Sequence, residues 1–509
     1  MGRRVTMGLL FYPRGGSAQV IRYLAAALKG VGWSPNLVCG SLGEPGEQTN
    51  AETFFSGMDV TVADYGPAVA AFEAGRDPIA EPFGMHPSFE DRPDVPDRLF
   101  AAVSPELGNG LTAAWAELIE RSGLAAPEVL HLHHLTPLQE AFSGRFPDTP
   151  LVTHLHGTEL KMIDRAERLT RLAEGLGTDL AGMADRAAAG RAPAPAELPE
   201  TERELAAETR WEQWRYGAHW LKRLRAAAGR SDRFIVISPH DGDEAARLLD
   251  IKGEQVTWIP NGVDTELFDR RSIGAAERLA RWREWLVSDS RGWDESGEPG
   301  SVRATEAELE AFTDPESGEP SPVLLFVGRF LDFKRVPLLV RAYARARPRF
   351  ERRAPLVIWG GFPGEWEGEH PHTVARRLGV EDVFFAGWRG HDDLARALPC
   401  ADVMVAPSHN EPFGQVFLEA MAAGLPVIAT NTGGPLSFVN TEPGAPNGWI
   451  VEAEDEDALA GAIVEAVNDT ETRRARSNNA YSQIRAGYAW SFLTERFVAV
   501  YEEAIQARG

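Results

Sequence analysis

Short apolar runs bounded by Gly and Pro alternate with amphipathic stretches along most of the chain. This alternation is typical of βα units around a parallel sheet, so the sequence predicts the α/β class. The predicted strands lie at residues 5–12, 36–39, 129–133, 151–154, 233–237 and 255–259 in the first half, and at 323–327, 355–359, 383–386, 403–406 and 426–430 in the second. A helix with one apolar face is predicted from Ser17 to Gly30.

Each half of the chain is long enough to form one doubly wound domain. We predict a first domain over residues 1–262, ending at the turn that contains Asn261 and Gly262, and a second over 263–483. Residues 160–228 carry Ala, Arg, Glu and Leu at helical spacing, which predicts a helical insertion in the first domain. Residues 294–322 are rich in Glu, Pro, Ser and Gly, which predicts a mobile acidic insertion in the second.

Composition and charge narrow the classes of protein to consider. The 509 residues are 43% hydrophobic and 25% charged, as in globular enzymes, and the net charge of -23 repels nucleic acid and anionic lipid. Only two cysteines are present, Cys39 and Cys400, which fits a reducing compartment. The first apolar run stops at Pro13, too early for a signal peptide or a membrane span. We therefore expect a cytoplasmic protein without nucleic-acid partners or stable membrane insertion, and the oligomeric state stays open.

The string from Pro407 to Pro426 is the strongest chemical signal. Glu411 lies in a loop after a strand, a helix opens near Gly414, and Glu419 lies one turn inside that helix. The helix N-terminus offers free N–H groups and a positive dipole end, which suit a diphosphate, and a carboxylate beside it can accept hydrogen bonds from sugar hydroxyls. Two isolated acids would more often only complement the dipole or lie in solvent, but the complete string favours a ligand site.

This string resembles that of the retaining GT-B nucleotide-sugar glycosyltransferases of family 4, which include sucrose-phosphate synthases and the cyclitol glycosyltransferase of mycothiol synthesis. The resemblance implies two doubly wound Rossmann-like domains facing a cleft, with a C-terminal helix in residues 484–509 crossing back to the first domain. It also implies that Glu411, with the backbone of Phe413 and Gly414, binds the donor sugar and that Glu419 binds the ribose. A nucleotide diphosphate sugar is then a substrate, and no cofactor is expected.

Residues 328–335 resemble the G-R-x4-K element of the same family. There, the positions of Arg329 and Lys334 grip the donor diphosphate, whose growing negative charge needs fixed cations in the transition state. The alternative is that both are solvated loop residues. Arg335 stands where relatives usually have Gly or Asn, so the loop shape stays open. Gly328, Gly360 and Gly387 are further donor-binding candidates, and the aromatic residues near the last two leave the nucleotide base undetermined.

In the first domain, two segments follow predicted strands. Residues 13–17 contain a Gly-Gly pair that lets a ligand approach the backbone, and family members bring acceptor and donor phosphate to this place. His156 ends a strand at the edge where open α/β sheets bind ligands, and it resembles the family's histidine close to the transferred sugar. A structural histidine is the alternative. The predicted acceptor contacts are Gly15, Gly16, His133, His156, Thr158 and Glu159, and Gly16 is also a predicted donor contact.

Two further features of this domain allow more than one interpretation. His131 and His133 point to one face of a predicted strand, but no acidic or Cys partner is near in sequence, so we predict no metal site, and the resemblance implies none. The loop at 77–97 either covers the acceptor or packs on the surface.

The sequence thus predicts a retaining, metal-independent hexosyltransferase. It would move a hexose from a nucleotide diphosphate sugar to a hydroxyl of a small polar acceptor, such as a sugar, a sugar phosphate or a cyclitol. The predicted catalytic residues are His156, Arg329, Lys334 and Glu411. A lipid acceptor and a GT-B nucleotide-sugar epimerase are the alternatives, and the base, the hexose and the acceptor are left open.

Overall fold

The computed structural model describes residues 2–81, 83–92, 95–191, 198 and 200–508. A seven-stranded parallel sheet lies at the centre of the first half of the chain. Its strands are β1 (Arg3–Leu9), β2 (Trp33–Ser41), β3 (Asp59–Asp64), β4 (Val129–His133), β5 (Leu151–Leu155), β6 (Arg233–Val236) and β7 (Val256–Trp258). Their order in the sheet is β3-β2-β1-β4-β5-β6-β7. The order reverses next to β1, as in doubly wound folds that bind ligands at the carboxyl ends of their strands.

Helices cover both faces of this sheet, because each parallel crossover needs one. They are α1 (Gly16–Gly30), α2 (Ala51–Phe54), α3 (Gly66–Glu73), α4 (Pro105–Arg121), α5 (Leu138–Arg145), α6 (Thr158–Gly175), α7 (Leu180–Ala188), α8 (Glu200–Ala207), α9 (Gly217–Ala228) and α10 (Pro239–Leu249). The helices α6 to α9 occupy the segment 160–228, of which residues 192–197 and 199 lie outside the described chain.

A six-stranded parallel sheet with the order β10-β9-β8-β11-β12-β13 lies at the centre of the second part. Its strands are β8 (Leu324–Gly328), β9 (Leu356–Gly360), β10 (Val383–Gly387), β11 (Val403–Val405), β12 (Val427–Thr430) and β13 (Gly448–Val451). The remaining helices are α11 (Ala275–Arg283), α12 (Val336–Ala346), α13 (Pro371–Leu378), α14 (His391–Ala397), α15 (Gln415–Ala422), α16 (Glu456–Asn468), α17 (Thr470–Gly487) and α18 (Trp490–Arg508). The prediction of two doubly wound α/β domains is confirmed.

The chain divides into two compact units that are not both continuous in sequence. The first unit runs to Pro260 and resumes at Thr494, and the second runs from Asn261 to Leu493. Most of α18 therefore belongs to the first unit, where the Tyr501 hydroxyl lies 2.6 Å from Nδ1 of His131 on β4. None of the described helices combines the length and the apolar composition that a membrane span requires.

Two strands, β3 and β13, are absent from the sequence prediction, and both lie at the outer edges of their sheets. The strand β3 is largely half-exposed, so its sequence lacks the continuous apolar run that marks the central strands. Edge strands are short and partly polar for a physical reason, since an exposed apolar edge invites pairing with other chains.

The acidic segment 294–322 has ordered contacts, and its predicted mobility stays a prediction. It forms paired turns, with bridges between Gly292 and Val302 and between Thr313 and Pro320, and it buries Leu309 and Phe312 to 3% exposure each. These few apolar side chains anchor a segment whose average composition suggested disorder. The string Glu-Ser-Gly-Glu-Pro occurs at 295–299 and again at 316–320, and each copy forms the end of one hairpin.

Candidate active site

The carboxyl end of the first sheet carries a cluster of stacked histidines. The centroids of neighbouring imidazole rings lie 4.4 to 5.4 Å apart, with interplanar angles between 15° and 40°. All are buried, and the set consists of His131 and His133 on β4, His134 just after it, His154 on β5 and His156 just after that strand. Strand register explains the cluster, because His133 and His154 are paired neighbours in the parallel sheet.

Three of these histidines bring ring nitrogens within 4.8 Å of one another, namely His131, His133 and His154. The strand β5 thus supplies a third histidine, distant in sequence, beside the pair on β4. The ring planes are nearly parallel, at 24° between His131 and His133 and 15° between His131 and His154. The angle between the rings of His133 and His154 is larger, at 37°, and the absence of a metal site here stays a prediction.

Burial keeps the rings of His131, His133, His154 and His156 neutral. It lowers the pKa of His131 to about 3 and the pKa values of His133, His154 and His156 well below the ordinary value, with the neighbouring histidines adding to the effect in the last three. Both ring nitrogens of His154 have no hydrogen-bond partner among the described residues. His133 is fully buried within the stack, and its predicted contact with the acceptor stays a prediction.

Glu159 is fully buried at the start of α6, and its predicted contact with the acceptor stays a prediction. Its carboxylate accepts hydrogen bonds from the His156 N–H at 3.0 Å and the Thr158 hydroxyl at 3.3 Å, and it lies 3.3 Å from Nδ1 of His134. Burial opposes the charge, but His134 and the hydrogen bonds hold the pKa of this carboxyl below its usual value. Glu159 thus positions the two histidines, and Thr158 stays half-exposed beside them.

The backbone conformation of His134 could not be predicted from the sequence. Its φ of 63° lies in the left-handed region, which is unusual for a residue other than Gly, Asn or Asp. Such strain concentrates at functional sites. The ring packs against Phe11 and Phe89, and Phe89 belongs to the loop at 77–97, whose described residues are anchored there rather than lying loosely on the surface.

The predicted Gly-Gly turn opens α1. An ideal Cβ on either Gly15 or Gly16 would have no described atom within 4 Å, so close packing does not require glycine at these positions. The first turn of α1 has neither a capping side chain nor an acidic residue among the residues described. Its N–H groups and the adjacent exposed Arg14 are suited to an anion.

In the second unit, the two charged motifs that the sequence identified meet at one point. Lys334 Nζ lies 2.5 Å from Oε2 of Glu411, although the two residues are 77 positions apart. Their side chains are 13% and 8% exposed. The loops that carry them are also joined by a backbone hydrogen bond from His409 N–H to the Phe333 carbonyl, at 2.6 Å. A cation and a carboxylate are therefore held together beside the N-terminus of α15.

Glycines shape the loop that precedes α15. Gly414 caps the helix with a φ of 92°, and Phe413 is buried below it. A Cβ on Gly433 would lie 2.4 Å from the Glu411 carbonyl oxygen, which explains why the neighbouring loop has glycine there. Gly434 N–H donates to that carbonyl at 2.7 Å. The two loops fix the direction of the Glu411 side chain.

Glu419 lies one turn inside α15 and is only 3% exposed. Burial raises the pKa of its carboxyl, and His391, 3.8 Å away, opposes that rise. A buried carboxylate at this place suits hydrogen bonds from hydroxyl groups. Its predicted contact with a ribose stays a prediction.

Arg335 settles the loop shape that the sequence left open. Its φ of 51° is left-handed, the conformation for which Gly or Asn is better suited. Ion pairs with Asp332 and with Glu454 hold the side chain in place. The loop after Lys334 therefore keeps a left-handed residue without glycine.

Close packing explains why glycine occupies two positions, Gly360 and Gly387, that were predicted to bind the donor. A Cβ on Gly360 would lie 2.4 Å from the carbonyl oxygen of Gly328, and a Cβ on Gly387 would lie 1.9 Å from that of Arg291. The first contact joins two strand-end loops, and the second brings the segment before the acidic insertion over β10. Both glycines lie at the carboxyl edge of the sheet, and a direct contact with donor stays a prediction.

Comparison with known proteins places this geometry in a family. The model of Glycosyltransferase Family 4 matches residues 14–267, and the model of Glycosyl transferases group 1 matches residues 309–483. Together the two matches span most of the chain. The chain belongs to the GT-B glycosyltransferases of family 4.

Among curated relatives of this family, a D-inositol 3-phosphate glycosyltransferase of Saccharomonospora viridis is 30% identical over 284 residues, which cover 54% of this chain and 57% of that protein. A protein of the same name from Kribbella flavida is 34% identical over 283 residues, which cover 54% of this chain and 57% of its own. The alignments thus span little more than half the length of these relatives.

Solved structures of glycosyltransferases share the fold over nearly the whole chain. Sucrose-phosphate synthase of Thermosynechococcus elongatus has a TM-score of 0.61 at 17% identity and covers 99% of this chain and 100% of its own. An Anabaena protein in complex with UDP and glucose has a TM-score of 0.57 at 16% identity, with 98% and 99% covered.

Proposed function

We propose that this family member transfers a hexosyl group from a nucleotide diphosphate sugar to a hydroxyl of a small polar acceptor, with retention at the anomeric carbon. The contact between Lys334 and Glu411 beside the α15 N-terminus carries the proposal. It places a cation for a diphosphate within 2.5 Å of a carboxylate for sugar hydroxyls. The UDP and glucose bound to the Anabaena protein support this donor class.

Donor binding would rest on charge and on backbone N–H groups. Lys334 and the exposed Arg329 would hold the diphosphate, with the N-terminus of α15 adding the positive end of its dipole. These groups can stabilise the leaving diphosphate as a divalent ion does elsewhere, so we propose that transfer needs no metal. Glu411 would accept hydrogen bonds from the sugar, and Glu419 from the ribose.

Acceptor binding would rest on the first unit. The N-terminus of α1, with Arg14, Gly15 and Gly16, suits a phosphate group on the acceptor. His156, 8% exposed and oriented by Glu159, would contact the sugar or the acceptor hydroxyl. Relatives named for D-inositol 3-phosphate support a phosphorylated cyclitol or sugar as the acceptor class. Free, buried Cys39 and Cys400 support a cytoplasmic place for the reaction.

The proposed function is tested by incubating the protein with UDP-, GDP- and ADP-hexoses, each with and without inositol phosphate or a hexose phosphate. We expect one donor to be consumed only when acceptor is present, to give a product that keeps the donor's anomeric configuration by NMR, and to react equally well in excess chelator. Isomerisation of donor alone would instead support an epimerase. Activity that chelator abolishes and magnesium restores would contradict metal independence.

Glu411 is proposed to hold the donor sugar rather than to attack it. Two-step retention through a carboxylate is known in glycosidases, where the nucleophile must be free to approach the anomeric carbon. Here Glu411 is bound to Lys334, and its loop is fixed by Gly434. We expect Glu411→Gln to retain measurable activity and the same product anomer, because an amide oxygen still accepts a hydrogen bond.

Mass spectrometry of wild-type protein quenched during turnover checks this expectation. An unmodified peptide containing Glu411 agrees with a binding role. A hexosyl adduct on that peptide, together with complete inactivity of Glu411→Gln, would show covalent catalysis instead.

A further inference from the structure

Trp293 occupies an unusual place in the second unit. It lies just before the acidic insertion, yet its side chain is only 1% exposed at the carboxyl edge of the sheet. Its indole Nε1–H donates a hydrogen bond to the Gly361 carbonyl at 3.0 Å. Its ring stacks on Phe330, with centroids 5.3 Å apart and planes at 22°. One side chain therefore contacts the loop after β8 and the loop after β9.

The two loops depend on each other through close packing. Gly361 N–H donates to the Gly328 carbonyl at 2.9 Å. A Cβ on Gly361, whose φ is 71°, would lie 2.6 Å from the Phe330 ring. The Phe330 ring is thus held between the Gly361 backbone and the indole of Trp293. Because the packing around Phe330 is close, its ring cannot shift unless Gly361 or Trp293 shifts as well.

The segment that carries Trp293 is itself anchored. Arg389, whose side chain is 1% exposed, donates to the Asp289 carboxylate at 2.8 Å and to the Trp285 carbonyl at 3.1 Å. The Arg291 carbonyl lies directly over Gly387 on β10. These contacts tie residues 285–291 to the same sheet edge, so Trp293 projects from a fixed support.

Arg329 lies in sequence between Gly328 and Phe330, the two residues that these contacts hold in place. Its preceding residue, Gly328, accepts the hydrogen bond from Gly361, and its following residue, Phe330, stacks on Trp293. The backbone direction of Arg329 is therefore set on both sides, although its own side chain is exposed. Such preorganisation raises the affinity of a guanidinium for a diphosphate, because less conformational entropy is lost on binding.

We propose that Trp293 is a positioning residue that locks the Gly328–Phe330 and Gly360–Gly361 loops together and so aims Arg329 at the donor diphosphate. This inference rests on the proposed function. It assigns the segment preceding the acidic insertion a part in donor affinity, through a residue that does not itself touch the donor.

The experiment compares Trp293→Phe with Trp282→Phe. The first variant keeps an aromatic ring on Phe330 but loses the hydrogen bond to Gly361. Trp282 is the matched control, since it is equally buried in the same unit, packs on Trp285 and Phe312, and has an indole N–H without a partner among the described residues. Both variants lose the same indole-to-phenyl volume.

Binding is measured by titrating UDP, GDP and ADP separately into each purified variant. For the diphosphate that wild type binds best, we expect Trp293→Phe to raise Kd about tenfold, equivalent to ~1.4 kcal/mol, and Trp282→Phe to leave it nearly unchanged. Hydrogen exchange should be faster at the Gly361 amide in Trp293→Phe alone. With turnover, the donor KM should rise while the acceptor KM stays constant.

The outcomes separate the inference from the function on which it rests. If wild type binds none of the three diphosphates, the proposed function and this inference both fall. If wild type binds one of them and Trp293→Phe binds it equally well, only the inference falls. Equal weakening in both tryptophan variants, with matching losses of Tm, would show a general packing effect and would also overturn the positioning role.

Discussion

Lys334→Ala is expected to lower turnover by roughly 10²- to 10³-fold at saturating donor, comparable to the loss of one oxyanion-hole donor. The cation lies 2.5 Å from Glu411, next to the proposed diphosphate position. Negative charge on the leaving diphosphate grows in the transition state, so the lost cation affects turnover more than ground-state binding. Steady-state kinetics measure the effect, with the donor that the UDP-, GDP- and ADP-hexose incubations select.

The variant also leaves the carboxylate of Glu411 without its partner. Breaking a buried ion pair in this way typically costs about 3 to 5 kcal/mol of unfolding free energy. The double variant Lys334→Ala/Glu411→Gln removes the unpaired charge, so it should regain much of that stability without regaining turnover. Arg353→Ala, which removes an exposed cation before β9, is the matched control and should change neither quantity. Near-wild-type turnover of a folded Lys334→Ala protein would contradict the assignment.

Acidification is expected to destabilise the protein steeply below pH 6.5. In the folded chain, burial lowers the pKa of His131 to about 3, whereas an unfolded histidine titrates near 6.5. Below pH 6.5 the unfolded state therefore binds more protons, and the stability present above that pH is lost as the pH falls towards 3. At pH 5, His131 alone should account for ~2 kcal/mol. His133, His154 and His156 have pKa values shifted in the same direction.

Urea unfolding at pH 7.5 and at pH 5 measures this loss. His154→Phe is the informative variant, because both nitrogens of that ring lack described partners and a phenyl ring can take its place in the stack. It should keep or increase stability at pH 7.5 and lose less at pH 5 than wild type. His240→Asn changes an exposed histidine and should follow wild type. Equal pH dependence in all three proteins would contradict the contribution of His154 to the loss of stability at low pH.

The sequence allowed the central strands to be predicted and the charged residues of the loops after β8 and β11 to be selected, for a clear physical reason. Strands buried on both faces must be apolar, and loops that bind a diphosphate must carry cations and small residues. The contact between Lys334 and Glu411 joins residues 77 positions apart, and only the parallel order of β8 and β11 brings them together. Residue type was visible in the sequence, whereas pairing between strands was not.

Other features depended on tertiary context. The stack at His154 follows from the register of β4 and β5, and the burial of Glu159 follows from its hydrogen bonds to two residues of the strand ends. Composition averaged over 294–322 concealed the few apolar residues that fold it. Nothing in the sequence around Trp293 indicates its hydrogen bond to the Gly361 carbonyl, because the two residues come together only in the fold.

The discontinuous first unit has a consequence for the timing of biosynthesis. Its last segment, from Thr494, is separated from Pro260 by the whole second unit. At ~5 to 20 residues per second, a ribosome needs on the order of 10 to 50 s to make the intervening chain. During this interval the β4 face around His131 lacks Tyr501 and the apolar cover of α18. In a nascent chain this surface is therefore accessible to chaperones and proteases until α18 has been synthesised.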